Sequence, residues 1–289
     1  MIGSSLRARR ARQALAFWVF RLAMLMVLGA LGGILFYVVS QGAGALSWTF
    51  LSQPPRDSMT QGGIFPAIVG TLYLTLGALL VALPLGVAAS IYLSEYASEG
   101  RALRLVRLGI ANLAGVPSVV FGLFGLGLFV VFCRLGVSIL AGSLTLGLLI
   151  LPTVIGASEE ALRQVPATFR EASLALGATR WQTIRQVVLP AALPGILTGG
   201  ILGIGRAAGE TAPIMFTAAT FYSRYLPDSP LSQVMALPYH IYVLATAGTH
   251  IEQTRPLQYG TVLVLISLVL GLSLLAIVIR ARMRKTKKW

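Results

Sequence analysis

The chain has 289 residues, of which 56% are hydrophobic and 11% are charged, whereas a soluble domain has roughly 25% charged residues. The formal net charge is +14, but Lys and Arg concentrate at the two ends, within residues 7–12 and 280–288. Because long apolar stretches separate these ends, the composition argues against a nucleic-acid-binding surface and indicates an integral membrane protein.

The few residues suited to metal or redox chemistry are scattered. Cys133 is the single cysteine, which excludes an intramolecular disulfide and a Cys-rich metal site. His240 and His250 have no carboxylate cluster beside them, so the sequence predicts no metal site.

Six stretches have the length of about 20 mostly apolar residues that a membrane-spanning helix needs. They are residues 17–39, 65–93, 105–132, 137–156, 193–219 and 259–279. No small-residue cleavage pattern follows the first stretch, which favours a retained anchor over a removed signal peptide. The expected fold class is therefore an all-α integral membrane protein with six transmembrane helices.

The distribution of basic residues predicts the orientation of these spans. If the N-terminus is inside, the inner segments are 1–21, 94–107, 157–192 and 280–289, and they hold five, three, four and six of the 23 Lys and Arg residues. This asymmetry follows the positive-inside rule. Both termini are therefore predicted to be cytoplasmic.

One further apolar segment, residues 231–247, is short and carries Pro238 and His240. If it crossed the membrane, the basic C-terminal tail would lie outside, against the charge rule. We therefore expect an outer segment that is partly helical and semi-buried against the bundle. It belongs to an aromatic-rich periplasmic loop, 220–257, whose tyrosines suit either interfacial anchoring or the docking of an outside partner.

The inner loop 157–192 is long for a connection between two spans, and such loops usually carry function. It is predicted to form two short helices, 167–176 and 179–189, on either side of Gly177. In the second, Trp181, Ile184 and Val188 form an apolar stripe. These helices either lie on the membrane surface or are held by a cytoplasmic partner.

A motif in this loop resembles the EAA loop of ABC importer permeases. Glu171, Ala172 and Ser173 are followed after three residues by Gly177, and Leu189 and Pro190 close the pattern. Ser173 replaces the second Ala of the family pattern, and Val187 replaces its Ile. The resemblance implies the type I ABC importer permease fold and a coupling element, 167–190, that binds an ATPase subunit.

Three further stretches resemble the phosphate-specific permeases of this family, namely residues 115–125, 151–162 and 205–213. The resemblance favours the PstA type over its sister type PstC. It implies a PstC-like second permease as heterodimer partner, two PstB-like ATPase subunits and a PstS-like periplasmic phosphate-binding protein. The location implied is the bacterial cytoplasmic (inner) membrane.

The predicted organisation has three parts. Residues 1–64 hold a basic cytoplasmic tail, the first span and an outer loop, residues 65–281 form the permease core, and residues 282–289 form a second basic tail. The chain has no nucleotide-binding Gly-x-x-x-x-Gly-Lys-Ser/Thr pattern. We therefore expect a transport subunit that is not itself an enzyme and binds no cofactor directly, with ATP and Mg used by the ATPase partners.

Arg206 and Glu210 lie four residues apart in the predicted fifth span, on one face of a helix if that helix is continuous. Ionisable residues inside a membrane are costly and usually mark a pathway or a structural pair. Because Arg suits phosphate oxygens, we predict that Arg206, Glu210 and Thr211 line a substrate pathway. A static ion pair, or Arg206 extending to the membrane surface, is the alternative interpretation.

Other functions fit parts of the pattern. The coupling loop alone suits a permease for another oxyanion or small solute. An ATP-independent transporter or channel would use Arg206 and Glu210 as an ion relay. A non-transporting membrane scaffold is less compatible with charges inside a span.

Overall fold

The computed structural model of the protein describes residues 2–247 and 251–285, so His250 and residues 286–289 of the predicted basic tail lie outside the described residues. The long helices are α1 (Ile2–Gly42), α3 (Phe65–Ile91), α6 (Ile139–Arg163), α9 (Leu189–Gly209) and α12 (Ile251–Lys285). The shorter helices are α2 (Trp48–Ser52), α4 (Arg101–Ala114), α5 (Ser118–Gly125), α7 (Ala167–Ala175), α8 (Arg180–Thr183), α10 (Ala212–Thr217) and α11 (Leu237–Thr246).

Other short elements connect or extend these helices. Wider, π-helical turns cover Tyr92–Tyr96 after α3, Leu126–Phe132 after α5 and Ile184–Val188 between α8 and α9. Single 3-10 turns cover Ala43–Ala45 and Asp57–Met59. Strands β1 (Pro55–Arg56) and β2 (Gln61–Gly62) pair antiparallel as a small hairpin, with Pro55 opposite Gly62.

The predicted all-α membrane fold class is confirmed, since the only strands among the described residues are the two-residue β1 and β2. Within residues 2–247 and 251–285, five helical stretches are long and apolar enough to cross a membrane: Arg12–Ala45, Phe65–Tyr96, Ile139–Arg163, Arg180–Gly209 and Thr254–Met283. A sixth crossing exists if Arg101–Ala114 and Ser118–Phe132, which meet at 98°, are counted together.

The predicted third span, 105–132, is therefore wrong as a single helix. The chain bends between the end of α4 at Ala114 and the start of α5 after Pro117. Pro117 has φ −57° and ψ 140°, outside the helical region, and a proline has no N–H to continue a helix. The first half of that stretch belongs to α4, which begins at Arg101 in the predicted inner loop.

Helices α3, α6 and α9 form the centre of the bundle, where Leu74, Ile150 and Ala207 lie in one buried apolar cluster. Small residues allow close helix packing: a Cβ placed on Gly86 would lie 2.7 Å from Cγ1 of Val154. By contrast, α1 packs along α12 and leaves its apolar side chains exposed. Exposed apolar faces of this extent suit contact with lipid or another subunit.

The outer segment 231–247 is partly helical and buried, as predicted. Leu237, at the start of α11, packs in a cluster with Phe50 and Ile64, and its backbone N–H donates to Oγ1 of Thr71 at 2.8 Å. Helix α12 begins at Ile251, eight residues before the predicted start of the sixth span at Tyr259. The outer loop is thus folded against α3 and shorter than expected.

The inner loop forms the two predicted helical stretches, but its exit differs from the expectation. Helix α8, the turn Ile184–Val188 and α9 run on as one helical stretch, Arg180–Gly209, so the second short helix does not end at residue 189 as predicted. Pro190 directly follows the wider turn, in which the N–H of Leu189 donates to the carbonyl of Ile184 five residues back, so the missing N–H of the proline falls where the regular helical bonding is already interrupted. The second helical stretch of the inner loop is therefore directly continuous with a spanning helix.

Candidate functional site

Arg206 and Glu210 are brought together, although not on a continuous helix as assumed from the sequence. Helix α9 ends at Gly209, and Glu210 has extended backbone angles, φ −77° and ψ 129°. The Nε atom of Arg206 lies 3.6 Å from Oε1 of Glu210, with side-chain exposures of 31% and 18%. The pair therefore joins the last turn of α9 to the break that follows it.

The break has a local cause in Pro213. It lies in the first turn of α10, and because a proline has no N–H, it cannot donate to the carbonyl of Gly209 and so continue α9. Non-helical backbone at membrane depth is tolerated where protein buries it or where it lines a cavity. The predicted fifth span, 193–219, is thus two helices with Glu210 and Thr211 between them.

Neighbouring helices fix the position of this break near the outer end of the bundle. The backbone N–H of Ser138, which precedes α6, donates to the carbonyl of Thr217 in α10 at 2.9 Å. A Cβ on Gly122 of α5 would lie 3.0 Å from Cα of Pro213. Helix α10, which follows the break, is consequently packed against α5 and the start of α6.

Thr75 is a polar residue beside this pair that the sequence did not reveal. Its hydroxyl is buried and has no hydrogen-bond partner, and it lines a small cavity of about 10 Å³ together with Glu210 and Ile214. A cavity of about this volume holds one water molecule. Thr211 is half-buried, and its side chain does not cap α10.

The residues of the coupling pattern take different positions in the inner loop. Glu171, Ala172 and Gly177 are exposed, while Leu189 and Pro190 are half-buried at the start of α9. Gly177 has φ +84°, which a glycine adopts without steric cost and a β-branched residue does not.

The two helices of the loop are held to each other by Ser173, whose Oγ lies 2.9 Å from Oγ1 of Thr183. Ile184 and Val188 of the predicted apolar stripe are buried, but Trp181 is 54% exposed. Together with Leu176, which is 89% exposed, Trp181 gives the loop an exposed apolar surface on its inner side.

Glu95 contacts the same loop and was not identified from the sequence. It lies in the wider turn at the inner end of α3, is 8% exposed, and pairs with Arg170 of α7 at 2.7 Å. A second inner carboxylate, Glu159 of α6, pairs with Arg163 at 2.7 Å and with Arg107 of α4 at 2.8 Å. An acidic residue at the cytoplasmic end of an apolar span was the only sequence signal for Glu95.

Metal-binding geometry is not found in the part of the chain that the structure describes, where no three or more His, Cys, Asp or Glu side chains group together. Cys133 is exposed. His240 is buried in α11, and burial lowers its pKa to about 4. The neutral imidazole is therefore the form present at neutral pH.

The sequence is similar to several known permeases. It is 33% identical to "Probable ABC transporter permease protein YqgI" of Bacillus subtilis, over 93% of this chain and 95% of that protein. It is 36% identical to "Phosphate transport system permease protein PstA 1" of Mycobacterium tuberculosis, over 94% of this chain and 90% of that protein.

The fold is similar to a chain of a solved structure, described as an inward-facing conformation of the MetNI methionine ABC transporter. The TM-score is 0.57 with 18% identity, covering 76% of this chain and 94% of that one. This likeness supports the type I ABC importer permease fold.

The family model of binding-protein-dependent transport system inner membrane components matches residues 82–287, a range that includes the inner loop with α7 and α8, the Arg206–Glu210 pair and α12. Members of this family are multi-pass transport components of the cytoplasmic membrane rather than catalytic subunits. The chain belongs to this family of ABC importer permeases.

Proposed function

We propose that this chain is the permease subunit of an ATP-driven importer of inorganic phosphate and forms half of its translocation pathway. The observation that carries the proposal is the Arg206–Glu210 pair at the break between α9 and α10. Similarity to the PstA phosphate permease of M. tuberculosis over nearly the whole chain supports phosphate as the substrate.

The partners proposed are a PstC-like second permease, two PstB-like ATPase subunits and a PstS-like periplasmic binding protein. ATP and Mg act in the ATPase subunits, and this chain binds no cofactor directly. The surface that the ATPase binds is formed by the exposed residues Glu171, Ala172 and Gly177. Because α8 is continuous with α9, displacement of the coupling loop pulls on the helix that carries Arg206.

In the pathway, Arg206 supplies the positive charge and planar donors that bind an anion. Its geometry supports this role, since its guanidinium is 3.6 Å from one carboxylate oxygen rather than in a close bidentate pair, and about a third of the side chain is exposed. Glu210 holds Arg206 in one state and releases it in another, and Thr211 adds a hydroxyl donor beside the break.

The test is radiolabelled phosphate uptake in a strain that lacks this chain and carries a plasmid copy. Wild type is expected to restore uptake, with excess unlabelled sulfate or molybdate failing to compete. Arg206→Gln is expected to lose most uptake while the complex still assembles. Arg255→Gln, which alters an exposed cation near the start of α12, is the matched control and should transport normally.

Three other outcomes would each contradict a part of the proposed function. Competition by sulfate or molybdate would identify a permease for another oxyanion. Uptake that persists without an ATPase subunit would identify an ATP-independent transporter. Normal phosphate uptake by an assembled Arg206→Gln complex would exclude the pathway role of Arg206.

A further inference from the structure

Glu95 and Arg170 form a largely buried ion pair between the inner end of α3 and the first coupling helix, α7. The guanidinium donates Nη2 to Oε1 at 2.7 Å and Nε to Oε1 and Oε2 at 3.2 Å each. The two side chains are 9% and 22% exposed. Charge-assisted pairs with two donors are strong and fix the relative orientation of their partners.

Arg170 also connects α7 to the end of α6. Its Nη1 donates to the carbonyl of Val165 at 2.7 Å and its Nη2 to the carbonyl of Leu162 at 2.9 Å. Carbonyls at the C-terminal end of a helix have no partner within that helix. One side chain therefore ties α7 to the inner ends of both α3 and α6, two of the helices at the centre of the bundle.

The second helical stretch of the inner loop, which begins with α8, also contacts Glu95 and its neighbour Tyr96. Arg180, at the start of α8, donates Nη2 to the backbone carbonyl of Glu95, and its guanidinium carbon lies 5.1 Å from the centre of the Tyr96 ring. We call Glu95, Tyr96, Arg170 and Arg180 the inner junction. Through it, α7 and α8 are fixed to the end of α3 and to each other.

Helix α3 leads from the inner junction to the candidate pathway. Thr75, which shares a small cavity with Glu210, lies on α3 at 20 residues from Glu95, or about 30 Å along a helix. One continuous helical stretch, Phe65–Tyr96, therefore contacts the coupling loop at its inner end and the surroundings of the Arg206–Glu210 pair in its outer half.

We infer that Glu95 is a positioning residue that transmits movement of the coupling helices to α3. The inference rests on the proposed function, in which an ATPase moves α7 and α8. Separating Glu95 from Arg170 would leave two buried charges uncompensated. The inner junction therefore resists separation, and α7 and α8 move together with the end of α3. The exposed side of the loop, with Glu171 and Leu176, stays available to the ATPase.

The test compares phosphate uptake with ATP hydrolysis in the complete complex, reconstituted in proteoliposomes with its binding protein. Glu95→Gln keeps the shape of the side chain and removes its charge. It is expected to lower phosphate transported per ATP hydrolysed at least tenfold while hydrolysis continues. Glu95→Asp, which retains the charge, is expected to restore part of the ratio, and Glu99→Gln, an exposed neighbour, should not change it.

A second measurement does not depend on phosphate. Spin labels are placed on cysteines at Ser98 and at Thr168 of α7, both exposed, in a Cys133→Ser background. The distance between the labels is expected to stay constant when ATP binds to the wild-type complex and to change or broaden in Glu95→Gln. Arg170→Lys, which keeps the charge but loses the planar fork, serves as the second variant if Glu95→Gln fails to assemble.

Different results would refute phosphate as the substrate and the role of Glu95. A wild-type complex that transports another anion would refute phosphate as substrate and leave the distance test intact. A wild-type label distance that changes with ATP, or an assembled Glu95→Gln complex with the wild-type ratio of transport to hydrolysis, would overturn the role of Glu95.

Discussion

The Nε atom of Arg206 lies 3.6 Å from Oε1 of Glu210 across the point where α9 ends. Because Glu210 has extended backbone angles, the separation of the two side chains depends on the torsions at the end of the helix and not on helical geometry. The pair is therefore able to open without unwinding α9. That property suits a charge that must exchange a carboxylate partner for a passing anion.

Replacing Glu210 tests this exchange. Glu210→Gln removes the anion that competes with substrate for Arg206, so we expect tighter substrate retention and slower release. Uptake kinetics should show a lower KM together with a maximal rate reduced on the order of tenfold, which corresponds to ~1.4 kcal/mol. An unchanged KM and rate would indicate a static pair, and Glu252→Gln at the exposed start of α12 is the control.

Gly177 provides a test of the coupling turn. At φ +84°, valine is strained, whereas asparagine adopts positive φ more readily. We expect Gly177→Val to lower uptake per ATP hydrolysed severalfold and Gly177→Asn to retain most of it. Equal ratios for both variants would show that the positive φ is not needed for coupling.

Close packing between α3 and α6 predicts a size-dependent effect at Gly86. A Cβ there would lie 2.7 Å from Cγ1 of Val154, and such overpacking typically costs about 1–3 kcal/mol. Gly86→Ala is expected to lower the thermal stability of the detergent-solubilised protein, and Val154→Ala in the same chain should restore part of it. Gly271→Ala, where no atom lies within 4 Å of the added Cβ, should not destabilise.

His240 predicts acid sensitivity of the outer segment. Burial lowers the pKa of its imidazole from 6.5 to about 4, so between these values the unfolded chain binds a proton that the folded chain does not. The free energy of unfolding should fall as the pH drops from 6.5 towards 4, by roughly 3 kcal/mol at most. Thermal unfolding of His240→Gln should lack this component, and an identical pH dependence in both proteins would contradict the assignment.

Some of the architecture was predictable because it depends on short stretches of sequence. Apolar runs of spanning length located α1, α3, α6, α9 and α12, since hydropathy is a property of consecutive residues. The residues around Gly177 likewise indicated two short helices on one loop, and the structure has α7 and α8 there. Arg206 and Glu210 were identifiable because charges are rare within apolar spans.

Other features required the tertiary structure, because they depend on which distant residues meet. Pro117 and Pro213 are visible in the sequence, but prolines also occur inside α3, α6 and α9, so their presence alone does not locate a break. At Pro117 and Pro213 the chain bends, and the helices that follow these breaks, α5 and α10, pack against α6.

The partners of Glu95 are likewise 75 and 85 residues away along the chain. The sequence by itself determined the membrane class and the family, through local composition and motif spacing, and it predicts the orientation from the placement of Lys and Arg. The tertiary structure decided how the coupling loop is fixed to the core, since only folding brings Glu95, Arg170 and Arg180 into contact.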